Sequence, residues 1–120
     1  MDLLHSQGSY MKISEFEEKT GLSRDTLRYY EKIGMLSPPL RGANGYREYG
    51  QAQLSELSFI QMGKEIGFTL STIKEGYRRY KALGKLCPEF KQQLVEKKEM
   101  LSKRMDDDAR AIKKIDEMLS

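Results

Sequence analysis

The 120-residue chain has one cysteine, one histidine, three prolines and no tryptophan. With Cys87 alone, no intrachain disulfide framework can form, and a reducing compartment, the cytoplasm, is the expected setting. No stretch approaches the roughly 18 apolar residues of a membrane span, and the N-terminus has no apolar signal core, so no membrane partner is expected. The single histidine, His5, lies in a segment, Met1–Ser9, without sustained period, and residues 1–10 read as a flexible tail with Met11 a plausible start. No cluster of acid and base groups and no phosphate-binding loop is present, so an enzyme, a cofactor and a metal site are not expected. Charge of one sign is also lacking: 21 basic residues are offset by 18 acidic ones, and a net charge of +3 favours an anionic partner only weakly. The placement of charge must therefore carry the argument.

Helical punctuation begins at Ser14, with Glu17 three residues on in the spacing of a capping box, and the first helix is expected to run to about Lys19. Gly21 supplies a turn that needs positive φ, and Ser23 offers a new N-cap. Ile13, Phe16, Leu22, Leu27, Tyr30 and Ile33 are spaced to meet in one core. Arg24, Thr26, Arg28, Tyr29 and Lys32 then remain on the outer face of the second helix. Gly34 ends that helix, and Pro38 and Pro39 forbid its continuation. From Leu36 to Tyr49, the run Arg41-Gly42-Ala43-Asn44-Gly45 contains the Asn-Gly pair of tight hairpins, which predicts a two-stranded wing with Tyr46 and Tyr49 in its second strand.

A third helix is expected from Gln51 to Ile66, built on Leu54, Leu57, Phe59, Ile60, Met62 and Ile66 and closed by Gly67. Thr69 can cap a fourth, with Ile73, Tyr77, Tyr80 and Leu83 as its stripe before Gly84. Pro88 opens a final helix reaching nearly to Ser120, on the order of 50 Å at 1.5 Å per residue. The domains are thus 11–84, a winged helix-turn-helix head with its second helix pair, and 85–120, a dimerisation helix, in a mainly α fold.

In the last helix a heptad frame puts Leu94, Leu101, Asp108 and Ile115 at one core position and Lys98, Met105, Ile112 and Leu119 at the other. Two antiparallel copies in register about Lys103 match Leu94 with Ile112, Leu101 with Met105, and Lys98 with Asp108 of the partner. A slip of one heptad would set Asp108 against Met105 and Lys98 against Ile115, so the charges select the register by penalising that alternative.

A recognition helix needs side chains that reach phosphates or base edges. Arg24, Arg28 and Lys32 supply charge, Ser23 and Thr26 short hydrogen bonds, and Tyr29 a hydroxyl. Arg41, Asn44 and Arg47 flank glycines that let the wing backbone approach a phosphate. Lys64 and the Arg78, Arg79, Lys81 cluster are secondary candidates, which plain solvated surface explains as well. The competing reading is a coiled-coil adaptor that joins proteins without touching DNA and senses no effector; the basic wing is what such an adaptor would not need.

At these residues the sequence resembles the MerR family of bacterial transcription regulators. The resemblance rests on Ile13-Ser14, Thr20-Gly21-Leu22-Ser23, Leu27-Arg28-Tyr29-Tyr30-Glu31 with Gly34, Asn44-Gly45-Tyr46-Arg47 with Tyr49, and Phe59-Ile60 with Gly67-Phe68-Thr69-Leu70. It implies a homodimer joined by an antiparallel coiled coil, binding a near-palindromic promoter element in double-stranded DNA and realigning it for RNA polymerase by bending and untwisting the spacer. It also implies that Arg28, Tyr29, Arg47 and Lys64 contact DNA and that Tyr46 supports the wing. Metal-sensing relatives carry a cysteine loop after the coiled coil and drug-sensing relatives a C-terminal ligand domain. With Cys87 the only cysteine and Ser120 the last residue, neither is expected here and the effector is unknown. Cys87 reads either as a thiol sensor for oxidants or electrophiles, placed at the helix N-terminus, or as a small buried hydrophobe.

Overall fold

A computed structural model describes residues 10–120; the expected tail, with His5, lies almost entirely outside the described residues. The elements are β1 (Met11–Lys12), α1 (Ile13–Thr20), α2 (Arg24–Lys32), β2 (Leu40–Arg41), β3 (Arg47–Tyr49), α3 (Gln51–Ile66), α4 (Leu70–Leu83) and α5 (Pro88–Leu119). By packing, the chain divides within α4 into one unit ending at Tyr77 and a second, Arg78–Ser120. No helix among the described residues is long and apolar enough to cross a membrane.

The first unit is organised around Phe16, Leu27, Tyr30, Met35, Leu36, Tyr49, Leu54, Leu57, Ile60 and Ile73, all buried. Of the core expected from the first two helices, Phe16, Leu27 and Tyr30 are fully enclosed, while Ile13, Leu22 and Ile33 pack against them half-buried. Tyr49 lies at the centre of this cluster, its ring stacked on Phe16 with centroids 4.6 Å apart. Met62, expected in the stripe of α3, is exposed, as are Tyr80 and Leu83 of α4.

Punctuation by glycine and hydroxyl residues fixes most boundaries. Gly21 takes φ 74 as the C-cap of α1, and Ser23 Oγ accepts the backbone N–H of Thr26 at 3.2 Å to open α2. Thr69 opens α4 in the same way, accepting from Thr72 at 3.2 Å, and α5 carries Pro88 in its first turn. The α2 C-terminus is closed from α4: Lys74 Nζ donates to the Ile33 carbonyl at 2.6 Å.

Four local expectations are corrected. Ser14 is not a cap; α1 begins at Ile13 after Lys12, with no side-chain cap. Glu17 does not reach back but forward, its carboxylate accepting the backbone N–H of Arg24 at 2.8 Å and so serving the start of α2. The wing is three-stranded rather than two-stranded, in the order β1-β3-β2, both pairs antiparallel. Met11 pairs with Tyr49 and Lys12 with Glu48, and a two-residue strand is too short to show alternation in a sequence. Finally, the Asn-Gly pair does not form the two-residue turn with positive φ at both positions. Among the described residues only glycines have positive φ; Gly45 N–H donates to Gly42 O and Gly42 N–H to Tyr46 O, leaving a three-residue loop with Gly45 at φ 81. That is the turn-plus-bulge hairpin, which uses the same dipeptide with only the glycine left-handed.

Helices α3 and α4 cross at Gly63. A Cβ there would come within 2.5 Å of Ile73 Cγ1, and Ile73 is fully enclosed and has nowhere to retreat. Overpacking of this kind costs about 1–3 kcal/mol, against the ~1 kcal/mol of helix propensity an alanine returns. Gly63→Ala is therefore expected to lower stability by about 1 kcal/mol, up to about 2, in thermal denaturation; a raised Tm would show that the crossing is loose.

In the second unit, α5 has Phe90 buried near its start, whereas every residue from Lys98 to Ser120 is exposed. Glu89, in the first turn, is held below the usual carboxylate range by its own backbone N–H and by Arg79, 3.3 Å away.

Candidate nucleic-acid interface

Arg24 and Arg28 stand one turn apart on the outer face of α2, and Lys32 follows a turn later; all three are exposed. Glu17 pairs with the Arg24 guanidinium at 3.3 Å and thereby orients it. Arg28, by contrast, has no hydrogen bond or ion pair among the described residues. Ser23 and Thr26 are engaged with each other, their hydroxyls 3.0 Å apart within the cap. Tyr29 is exposed and its ring leans on Tyr30, centroids 6.2 Å apart.

On the wing, Arg41 Nη1 donates to the Gly45 carbonyl at 2.9 Å and Asn44 Oδ1 accepts the Tyr46 backbone N–H at 3.1 Å. Both side chains thus stiffen the loop, Asn44 as an Asx turn. Arg41 lies directly opposite Arg47 across the ladder. Like charges facing one another destabilise a hairpin; here the Arg41 guanidinium is turned to the Gly45 carbonyl and that of Arg47 to Glu31.

The wing is tied to α2 through Glu31, a residue not singled out for this role in the sequence. Its carboxylate accepts the Tyr49 hydroxyl at 2.8 Å and lies 3.7 Å from Arg47 Nη1. Burial pushes the Tyr49 phenol up, and the Glu31 hydrogen bond and charge add to the shift, with Arg47 opposing it. A second tie comes from α3. Buried Glu56 accepts the Ser37 N–H at 2.8 Å and its hydroxyl, while Gln53 donates to the Ser37 and Pro38 carbonyls at 3.2 and 3.3 Å. These two polar residues clamp the α2–wing connection, and they read in the sequence as ordinary polar positions of a helix.

The Tyr49 contact has a pH signature. Its folded pKa is raised above the usual 10.0, so its contribution is complete below pH 10 and is lost as pH rises through the higher folded value. Tyr49→Phe keeps the ring stack and is expected to cost about 1 kcal/mol at pH 7. The gap between wild type and variant should shrink as denaturant titrations move above pH 10; a gap that widened there would reverse the assignment.

Helix and wing converge on one cleft of about 670 Å³, lined by Lys12, Ile13, Ser14, Arg24, Arg28, Arg41, Gly45, Tyr46 and Arg47. Five of these side chains are cationic and none is acidic. The structure therefore gathers Arg24, Arg28, Arg41, Tyr46 and Arg47 of the expected set. Ser23, Thr26, Tyr29, Lys32, Asn44 and Lys64 do not line the cleft. Lys64 instead reaches the Tyr30 hydroxyl at 3.4 Å, an α3–α2 contact. Lys12 and Ser14 also line the cleft; the pairing of Lys12 with Glu48 that fixes this end of the chain beside the wing is not local in sequence.

Cys87 is the N-cap of α5 and only 2% exposed. Among the described residues no group of three or more histidine, cysteine or acidic side chains is arranged to hold a metal.

Comparison with known proteins places this geometry. The profile described as MerR HTH family regulatory protein matches residues 11–80, and that described as MerR, DNA binding matches residues 54–118. The HTH-type transcriptional regulator CueR of Salmonella typhi is 43% identical over 65 residues, 54% of this chain and 47% of that protein. The mercuric resistance operon regulatory protein of Bacillus cereus is 42% identical over 62 residues, 52% of this chain and 47% of that protein. The matches thus span about half the length of these relatives. Among solved structures, the N-terminal part of MtaN, the Bacillus subtilis multidrug transporter activator, superposes with TM-score 0.63 at 34% identity, covering 91% of this chain and 97% of that one. HiNmlR, a MerR family regulator lacking the sensor domain and bound to promoter DNA, superposes with TM-score 0.66 at 25% identity, covering 87% of this chain and 79% of that one.

Proposed function

The chain belongs to the MerR family of helix-turn-helix regulatory proteins, a family of regulators and not of enzymes, and from that premise we propose that it binds promoter DNA as a homodimer. The observation that carries the reading is the cleft where Arg24 and Arg28 of α2 meet Arg41 and Arg47 of the wing, with Arg28 left without any partner among the described residues. Such an array positions a protein on phosphates and leaves the helix free to read base edges. The promoter-bound HiNmlR structure supports the same use of a similar fold.

The dimer is proposed from α5. Leu101, Met105, Ile112, Ile115 and Leu119 are 39–79% exposed along one seam, more apolar surface than a solvated helix keeps. A second copy, antiparallel and in the register that matches Lys98 with Asp108, covers it. Two copies related by a two-fold axis call for an inverted repeat. We propose further that the dimer acts by distorting the promoter spacer, so that specificity is read partly as deformation energy and RNA polymerase is the downstream partner, all in the cytoplasm. The Cys87 thiol is closed to solvent at 2% exposure; packing is the role we assign it, and a response to oxidants or electrophiles would require the start of α5 to open first.

The test is a fluorescence-anisotropy titration of a labelled random-sequence 30-bp duplex at several salt concentrations. The regulator reading expects binding that falls steeply and linearly in log–log form as salt rises. Binding that is absent or indifferent to salt would favour the protein-interaction adaptor.

A further inference from the structure

The C-terminal end of α2 is closed mostly by the chain that follows it. Ile33 N–H donates to Tyr29 O at 3.0 Å, Gly34 N–H to Glu31 O at 3.2 Å, and the N–H groups of Met35 and Leu36 to Tyr30 O at 2.9 and 3.1 Å. The carbonyl of Ile33, the C-cap, takes its donor from 41 residues further on: Lys74 Nζ of α4, at 2.6 Å. This is a charged hydrogen bond laid on the electronegative end of a helix, where a cation is favoured. Gly34 makes room for it. Its φ of 79 turns the chain out of α2, and a Cβ there would stand 3.3 Å from Lys74 Nζ, so a side chain at this position would crowd the ammonium. A second lysine of the same helix pair, Lys64 of α3, reaches the Tyr30 hydroxyl at 3.4 Å. The C-terminal half of α2 is thus gripped by two ammonium groups from α3 and α4, while its exposed face carries Arg24, Arg28 and Lys32.

We propose that Lys74 is a positioning residue for base reading: its ammonium fixes the C-terminal end of α2 against α4, and with it the angle at which Arg28 and Lys32 meet a base edge. The inference rests on the DNA-binding reading above and adds to it a residue that acts without touching DNA. Leu27 and Tyr30 hold the buried side of α2 by packing, which is non-directional, whereas a hydrogen bond to the last carbonyl restrains the end of the helix in one direction. Attraction to phosphates tolerates a small tilt of the helix; a contact to a base edge does not. Loss of the Lys74 contact should therefore cost sequence-specific binding and spare non-specific binding. If the reading orientation of α2 falls to about a third of the population in each copy, a dimer loses about tenfold in affinity.

The experiment compares full-length wild type, Lys74→Met and Lys74→Arg on a duplex selected by the wild-type chain from a random-sequence pool and on the unselected pool, over a salt series. Thermal melts confirm folding, and the carbonyl carbon resonance of Ile33 is read by NMR in the free protein. Lys74→Met should shift that resonance, bind the selected duplex about tenfold more weakly, and keep both the wild-type affinity for the pool and the wild-type salt slope. Lys74→Arg, which keeps a charged donor, should recover most of the loss. An unmoved Ile33 resonance, or wild-type affinity of Lys74→Met for the selected duplex, overturns the positioning role. So does an equal loss on both duplexes: with the slope reduced by about 1.8, one contact from each copy, Lys74 is itself a phosphate contact. With the slope unchanged and a lower Tm, the lysine serves only the fold. Wild type that shows no salt-dependent binding to either duplex overturns the DNA-binding reading beneath, and the Ile33 resonance then still reports whether the contact exists.

Discussion

Arg28→Ala is expected to weaken binding to a selected duplex by about 2–6 kcal/mol per dimer, roughly 30-fold to more than 10⁴-fold, with thermal stability unchanged. One well-placed arginine contact is worth about 1–3 kcal/mol, and a two-fold dimer loses it twice. Stability should hold because the Arg28 side chain is exposed and takes no partner among the described residues. Arg47 provides the contrast. It sits beside Glu31, which also receives the Tyr49 hydroxyl, so Arg47→Ala should cost both affinity and stability. Anisotropy and thermal melts on the same preparations separate the two patterns. Arg28→Ala that bound with wild-type affinity would remove α2 from the interface.

The second large effect concerns the dimer. In the register centred on Lys103, Lys98→Asp places two aspartates together in each of two symmetry-related layers of the seam. Close like charges, together with the loss of the original pair, should cost several kcal/mol and raise the dimer dissociation constant at least 10²-fold. The reciprocal variant, Lys98→Asp with Asp108→Lys, rebuilds the same pair in reverse and should restore dimerisation. Sedimentation velocity over a concentration series reads both. A matched apolar pair, Lys98→Ile with Asp108→Leu, should tighten the dimer, because a desolvated ion pair specifies register more than it stabilises. If that pair loosened the dimer, or if the reciprocal variant stayed monomeric, the register would be wrong.

Much of the head could be read from local chemistry. Gly21, Ser23, Gly34, Gly67, Thr69 and Pro88 each impose a backbone or capping requirement that only one local structure meets, and the helices start or stop at them. The α3 bounds, Gln51–Ile66, follow from the apolar repeat and the glycine after it. What escaped was non-local. β1 exists only because Tyr49 and Glu48 lie beside Met11 and Lys12, and once Lys12 is in a strand, α1 starts at Ile13 and Ser14 loses the capping place its spacing offered. Glu17 fits a capping box by spacing, yet the exposed N–H of Arg24 across the turn competes for the same carboxylate and wins it.

The same division runs through the site. Arg24, Arg28, Arg41 and Arg47 could be picked by charge beside a turn, and they do meet in one cleft. Their supports could not. Gln53 and Glu56 are buried polar residues whose partners, the Ser37 and Pro38 backbone, lie 15 to 19 positions away, and nothing in the periodicity of α3 distinguishes them from solvent-facing residues. Asn44, picked out by its place beside a glycine, also has its side-chain oxygen in the turn it sits in, a use the spacing does not show. The heptad spacing of apolar side chains on α5 can be read without tertiary information, and Leu101, Met105, Ile112, Ile115 and Leu119 are exposed along that helix.

The most direct test of the central claim, that two copies of this head read duplex DNA about a two-fold axis, is selection from a random-sequence duplex pool followed by sequencing of the bound fraction. Enrichment of an inverted repeat with a fixed spacing between its halves is the predicted result. Enrichment of a single asymmetric half-site, or of nothing, would contradict it.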